Sequence, residues 1–305
     1  MATWLAHPRY TVVRDRLVEY LRSPNYRFRR AKPVAFLCGG AASTNRDTLR
    51  NYLRCRLPTL DIFYAERVWE LLAEDSTQSA LEMESHLAEL ADIVIVIVES
   101  PGTFAELGAF SLVEPLRKKL LPIVDQQHHN QPSFICTGPL RWVDRESFFA
   151  PTICVPFPRI LAAADQLEER IRRIPRQNTV KITDLASSPK HLVFFVADLV
   201  AVIYPATMGL IEDYLGRIAP SISASSISLP TMVGLATALG LLRATRIRAN
   251  GREETIYSPG SPKAVERPFH HRRFLDLPSQ RADHVSVLLT IPEAKAVLDG
   301  LNKTS

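Results

Sequence analysis

The run Glu99-Ser100-Pro101-Gly102-Thr103-Phe104-Ala105-Glu106-Leu107-Gly108 holds residue types that can attack a sugar. Pro101 and Gly102 turn the chain out of the apolar stretch Ile93–Val98. Thr103 and the exposed N–H groups of the helix that begins here can hold a phosphate or a sugar hydroxyl. Glu106 falls about one turn into that helix, near its positive end, where the helix dipole favours an ionised carboxylate. A positioned, ionised carboxylate can attack an anomeric carbon and form a covalent glycosyl intermediate. The spacing also fits a purely structural role, in which Glu106 stabilises the start of the helix. Glu99 closes the strand and is expected to point away from the site.

A second loop, Cys38-Gly39-Gly40, follows the apolar run Val34–Cys38. Tandem glycines let backbone N–H groups approach a ligand closely, and a helix start just beyond favours an anion. The loop is neither G-x-G-x-x-G nor a Walker A sequence, and a plain tight turn explains it as well. Tyr64 ends the next apolar run and can line the same pocket or serve as core. Asn45 can reach a ligand phosphate or cap its helix. His128-His129 has no matching ligand spacing, so no metal is expected, and Arg117-Lys118-Lys119 reads as a solvated helix end.

Placing these loops needs strands that end together. Val34–Cys38, Asp61–Ala65, Ile93–Val98 and Leu120–Val124 read as strands, with helices at Thr44–Leu57, from Val68, at Gln78–Leu90 and at Gly102–Val113. Ile93–Val98 is β-branched throughout, as a strand buried on both faces should be. This alternation predicts an α/β, doubly wound, Rossmann-like parallel sheet with ligands at the carboxyl ends of its strands.

Beyond Pro158 the pattern changes. Helices are expected at Ile160–Ile174, His191–Tyr204, Pro205–Leu215 and from Ser228 to Leu242, then strands at Arg243–Arg248 and Glu254–Tyr257 around Asn250-Gly251, a hairpin turn signal. Three helices followed by a hairpin is the order of a winged helix-turn-helix domain. A final helix lies near Pro292–Leu301. The expected organisation is therefore a basic N-terminal helical arm (1–32), an α/β domain (33–158), a connecting helix and linker (159–189), a winged helix (190–268) and a basic extension (269–305).

Charge follows these divisions. Of 305 residues, 37 are Lys or Arg and 32 are Asp or Glu. Residues 1–32 carry eight basic and two acidic side chains, residues 33–155 ten and sixteen, and residues 156–305 nineteen and fourteen. A uniformly basic coat is excluded, and polyanion contact is expected at the ends rather than the middle. Arg246, Arg248 and Arg252 on the hairpin, with Arg272 and Arg273 beyond it, are the candidate nucleic-acid contacts. The four cysteines show no C-x-x-C pairing, and Met1–Arg16 has no apolar signal region. Val193–Ile203 is too short to span a bilayer and contains Asp198. A cytoplasmic protein with four thiols and no membrane contact is expected.

The loop S-P-G-T-F-A-E-L-G resembles the nucleophile loop of nucleoside deoxyribosyltransferases, G-T-x-x-E-L-G after a central strand. Gly102, Thr103, Glu106, Leu107 and Gly108 match, which implies that Glu106 is the catalytic nucleophile; Gly39, Gly40, Tyr64, Ser100, Pro101, Gly102 and Thr103 are the candidate substrate-binding residues. With FLCGG, DIFY, the following R-K-K-L and S-F-I-x-x-G-P at Ser133–Pro139, the chain is similar to the effectors of St85/Ec86-type retrons, which join a deoxyribosyltransferase-like domain to a C-terminal winged helix. Deoxyribosyltransferases carry Asp two residues before the loop glycine, where this chain has Ser100. Hydrolysis is therefore expected rather than transfer to a second base.

The resemblance implies an N-glycosidase effector of anti-phage defence. Its substrate would be NAD, a nucleoside or a nucleotide, with no cofactor, and the cationic nicotinamide of NAD would leave without a strong acid. It further implies toxicity by nucleotide depletion and abortive infection, restraint by a reverse transcriptase and its branched RNA–DNA product (msDNA), and assembly with other copies. The alternative is a winged-helix nucleic-acid-binding regulator whose α/β domain senses a nucleotide without cleaving it. A structural subunit with an inactive glycosidase fold is a third reading.

Overall fold

A computed structural model describes residues 4, 7–23, 28–29, 31–64, 90–128, 132–174, 179–180, 188–220, 228–249, 252–266, 268–269 and 277–303. The chain divides into two compact units, Lys32–Arg176 and a second formed by Met1–Ala31 with Gln177–Ser305. Helix α1 (Pro8–Arg22) and strand β1 (Phe28–Arg29) belong to the latter.

In the unit Lys32–Arg176 the elements are β2 (Val34–Cys38), α2 (Thr44–Arg56), β3 (Asp61–Tyr64), β4 (Ile93–Val98), α3 (Pro101–Leu112), α4 (Glu114–Arg117), β5 (Leu120–Asp125), α5 (Arg141–Glu146), β6 (Ile153–Val155) and α6 (Ala164–Ile171). The five strands form one sheet in the order β3-β2-β4-β5-β6, with every pair parallel. The expected α/β parallel sheet is present. The helices expected from Val68 and at Gln78–Leu90 lie outside the described residues, apart from Leu90.

All residues of β2 and β4 are buried, which is why these strands read as unbroken apolar runs. One face of the sheet packs Leu37, Ile95 and Ile123 against Leu49 and Leu53 of α2 and against Ile160, Ala163, Leu167 and Ile171. The segment expected to be a connector after Pro158 thus supplies part of this core. Its apolar side chains recur every three or four residues and cover the sheet. Strand β6 was not foreseen, because three residues set among prolines carry no readable period.

This strand order has a physical consequence. The chain leaves β2 toward β3 on one side and returns to β4 on the other, so the connections diverge between β2 and β4. In open α/β sheets, ligands bind at that divergence, beyond the carboxyl ends of the strands.

In the other unit, β7 (Thr179–Val180) pairs antiparallel with β1. Then come α7 (Pro189–Ile203), α8 (Met208–Ile218), α9 (Leu229–Ala238), β8 (Leu242–Ala249), β9 (Arg252–Pro259), α10 (Leu277–Leu288) and α11 (Pro292–Lys303). Every residue from Lys190 to Ile203 is buried, as in a helix that is apolar on all sides. Its one acid, Asp198, accepts the Phe269 N–H at 2.8 Å.

Helix α8 does not start at Pro205, as the sequence suggested. Thr207 caps it, its hydroxyl accepting the Leu210 N–H at 3.2 Å. The preceding Ala206 exchanges two backbone hydrogen bonds with Tyr257, at 3.1 and 2.7 Å. Helix α9 is capped by Ser228 and ends before Gly240, whose φ of 70° turns the chain toward β8. Strands β8 and β9 pair antiparallel with Ala249 opposite Arg252, which leaves two residues for the turn. Those two, Asn250 and Gly251, lie outside the described residues. Helix α10 was missed in the sequence.

Candidate functional site

The loop between β4 and α3 is fixed by Ser100 and Thr103. Ser100 caps α3, and its hydroxyl accepts the Thr103 N–H at 3.4 Å. The Thr103 hydroxyl accepts the backbone N–H of Ser100 at 2.9 Å and of Glu99 at 3.0 Å, and donates to the Ser100 carbonyl at 2.8 Å. Thr103 is 1% exposed. It holds the loop instead of presenting its hydroxyl to a ligand, which corrects the expectation from spacing. Pro101 and Gly102 start the helix and are exposed.

Glu106 is the sixth residue of α3, somewhat deeper than the first turn to which the helix dipole is mostly confined. Thr103, Leu107, Phe110 and Ser111 form the buried stripe of this helix, and Glu106 lies beside it. Residues four apart share a face of a helix, so Glu106 stands on the same side of α3 as Gly102. Its Oε2 is shielded from solvent. A methyl group on Gly102 would meet only Ser100 Oγ, at 3.8 Å. The missing side chain leaves the start of α3 open.

Glu99 does not point away. Its Oε1 accepts the Gly40 N–H at 3.0 Å and its Oε2 accepts the Asn45 side-chain amide at 2.9 Å. The Gly40 N–H expected to meet a ligand is thus engaged by the protein. Asn45 neither caps α2 nor extends outward; Ser43 is the cap, accepting the Arg46 N–H at 3.0 Å. Gly39 is closely surrounded, since a methyl group there would lie 3.0 Å from Arg46 Cβ and 3.2 Å from Glu99 Oε1 and one of these side chains would have to shift. The structure thus brings Gly39, Gly40 and Glu99 together at the divergence of β2 and β4.

Tyr64, at the end of β3, is 9% exposed. Its hydroxyl donates to Asp47 at 2.5 Å and accepts from Arg50 at 3.2 Å. The Arg46 and Arg50 guanidiniums lie 4.4 and 4.7 Å from its ring centroid. Burial, then the bond to Asp47, pushes the Tyr64 phenol pKa up. Sequence reasoning missed both arginines. Their i,i+4 spacing on a helix leaving the glycine loop was the available signal.

Arg117 also departs from expectation, being buried rather than solvated. It donates to Glu146 at 2.8 Å and to the Ser111 carbonyl at 2.6 Å, and stacks on Trp142 at 4.1 Å. Lys118 pairs with Glu114 at 2.6 Å and Lys119 donates to the Ala91 carbonyl at 2.9 Å. His128 sits in an exposed turn, and His129 lies outside the described residues.

On the hairpin, Arg246 is exposed and opposite Thr255, Arg248 is opposite Glu253, and Arg252 is opposite Ala249. By register, Arg246 and Arg248 fall on one face and Arg252 on the other. Arg272 and Arg273 lie outside the described residues.

Comparison with known proteins matches residues 42–244 to the family described as STM3845 retron effector protein. Over 120 residues the chain is 42% identical to "Retron Ec86 putative ribosyltransferase/DNA-binding protein" of Escherichia coli, covering 38% of this chain and 39% of that one. Over 124 residues it is 36% identical to "Retron Ec73 putative ribosyltransferase/DNA-binding protein" of Escherichia coli, with the same coverage. The matched stretch is thus well under half the length of either relative. The family match covers the glycine loop's helix, the Glu106 helix and the whole run from α7 to α9, and on that extent this chain belongs to the STM3845 retron effector family.

Proposed function

We propose that this retron effector hydrolyses the N-glycosidic bond of a nucleotide, NAD included, with Glu106 as nucleophile. The observation that supports the reading is that Glu106 stands on the helix that follows the central strand, where the sheet's connections diverge. In the reaction a Glu106 oxygen attacks the anomeric carbon as the carbon–nitrogen bond breaks and the base departs with the bonding pair. Water then hydrolyses the glycosyl ester, releasing the sugar and restoring the carboxylate. The relatives' description as ribosyltransferases is compatible with the same first step.

The run α7, Ala206, α8, α9, β8, β9 is read as a winged helix that contacts nucleic acid. The two-way bond between Ala206 and Tyr257 is an isolated antiparallel bridge that ties the segment between the first two helices to the hairpin. Restraint by a reverse transcriptase and msDNA, assembly with other copies, a cytoplasmic location and abortive infection through nucleotide loss complete the proposal. The test is product analysis on a nucleotide panel, alone and with the retron components. Released free base that disappears in Glu106→Gln is the expected result.

One observation favours the second reading, a sensor that binds without cleaving. Glu99 is held by Gly40 and Asn45, so it is not placed to protonate a leaving base. A ligand returned intact in that assay selects the sensor.

A further inference from the structure

We propose that the run from α7 to β9 holds a nucleic-acid duplex without reading its base sequence, through phosphate contacts made by arginines of β8 and not through base contacts made by α9. The inference rests on the winged-helix reading and states which kind of contact that domain makes.

In a helix-turn-helix the second helix lies in the major groove, and after α8 that helix is α9. Base edges are read there mainly by forked, charged or amide side chains: Arg and Lys on guanine, Asn and Gln on adenine, Asp and Glu on cytosine. Helix α9 is Leu-Pro-Thr-Met-Val-Gly-Leu-Ala-Thr-Ala and holds none of these six types. Met232, Val233, Leu235, Ala236 and Ala238 are buried, which turns Pro230, Gly234 and Thr237 toward the outside of the helix.

That outer face offers no donor or acceptor code. Pro230 and Gly234 have no polar side chain, and Thr237 donates its hydroxyl to the Val233 carbonyl at 2.8 Å. At the start of the helix the Ser228 and Thr231 hydroxyls bond to each other at 2.8 Å, and Ser228 also accepts the Thr231 N–H at 3.3 Å. The hydroxyls that could read a base are thus engaged locally. What remains for a groove is apolar surface.

The hairpin has the opposite character. Strand β8 carries Arg243, Arg246 and Arg248 and no acid. Arg246 is exposed, stands opposite Thr255, and takes part in no ion pair among the described residues. Its charge is therefore available to a phosphate, and Arg248 falls on the same face by register. Phosphate contacts position a duplex but carry no sequence information. Helix α8 does not supply the missing readout, since its Glu212 is an exposed acid and its Arg217 is paired with Asp213 at 2.9 Å.

The test uses the full chain and fluorescently labelled DNA duplexes of about 20 base pairs, one of mixed sequence and several permutations with the same base composition. Affinity is followed by anisotropy between about 50 and 200 mM salt. All duplexes should bind within about three-fold of one another and weaken together as salt rises. Arg246→Gln should weaken all of them alike and flatten the slope of log affinity against log salt by about one. Thr231→Ala should leave every affinity unchanged. A preference of about ten-fold or more for one permutation, the size that a single bidentate base contact gives, overturns the inference and leaves the winged-helix reading standing. So does a Thr231→Ala variant that loses affinity for one permutation alone. An unchanged salt slope in Arg246→Gln overturns the phosphate contact. A chain that binds none of the duplexes across the salt range removes the nucleic-acid reading itself, and the inference with it, in favour of a protein partner for α9 and the hairpin.

Discussion

Glu99 accepts the Gly40 N–H across the gap between the sheet's two central strands, at 3.0 Å. One carboxylate thus ties the end of β4 to the loop after β2, and its second oxygen extends the tie to Asn45 on α2. The crevice is set by this link as much as by the sheet beneath it. Glu99→Ala leaves the Gly40 N–H and the Asn45 amide without their acceptor. Unmet buried donors cost about 1–3 kcal/mol, and the melting temperature should fall accordingly. Glu99→Gln should be far milder, because its carbonyl can still accept from Gly40 while Asn45 flips its amide to accept from the new N–H group. Equal melting temperatures for Glu99→Ala and the parent would show that the link carries no stability.

Glu106→Gln should keep the fold and lose the activity. A carboxylate beyond the first turn gains at most about 0.3–1 kcal/mol from the helix dipole, so unfolding should barely move. Loss of the attacking charge should lower base release by roughly 10³-fold or more. A folded variant that releases base at the parent rate removes the covalent mechanism.

The two glycines of the crevice should respond in opposite ways. Gly102→Ala meets only Ser100 Oγ at 3.8 Å, and alanine is favoured over glycine in a helix by about 1 kcal/mol. Stability should hold or rise while activity falls, if substrate occupies the space before Glu106. Gly39→Ala must instead displace Arg46 or Glu99, 3.0 and 3.2 Å from the new methyl, and should lower the melting temperature. Unchanged kinetics in Gly102→Ala would place the substrate elsewhere.

Much of this site was legible and some of it could not be. The unbroken Ile93–Val98 run announced a central parallel strand, and Asn250-Gly251 announced the hairpin, because each signal lies within a few consecutive residues. The orientation of Glu99 depends on parallel pairing that sets Cys38 beside Val96, a long-range fact with no local trace. The same holds for Tyr64, whose two arginines come from a different element. Ser100 and Thr103 looked like ligand groups because a hydroxyl beside a helix start fits both a cap and a phosphate contact. In the structure the reciprocal bonds decide for the cap. Arg117 read as solvated because Glu146 and Trp142 are distant in sequence.

Acid should weaken the unit that contains α10. His284 is fully buried, with Nδ1 donating to the Gln280 carbonyl at 2.7 Å and Nε2 lying 2.9 Å from the Tyr214 hydroxyl, which donates to the Tyr10 hydroxyl at 3.3 Å. Burial, aided by nearby Arg281, pushes its pKa down to about 4 from the ordinary 6.5. Below pH 6.5 the unfolded chain takes up a proton that the folded chain refuses until about pH 4. Stability is therefore complete above pH 6.5 and lost as pH falls through that window, by up to about 3 kcal/mol. His284→Gln should flatten the dependence measured by urea unfolding between pH 7 and 4.5. A slope identical to the parent's would assign it to other groups.

The hairpin gives the last prediction, which depends on the winged-helix reading. Register puts Arg246 and Arg248 on one face of β8 and Arg252 on the other. A hairpin lying along a nucleic-acid backbone presents one face or edge to it, so the three arginines should not act alike. Removing an arginine that neutralises a phosphate should flatten the dependence of log affinity on log salt by about one unit. Replacing Arg246 and Arg248 together by Gln should reduce the slope by about two for binding to msDNA, while Arg252→Gln should change it little. The reverse pattern would turn the hairpin over. An unchanged slope in the triple variant would make the hairpin a protein-binding element, its arginines ordinary solvated charge.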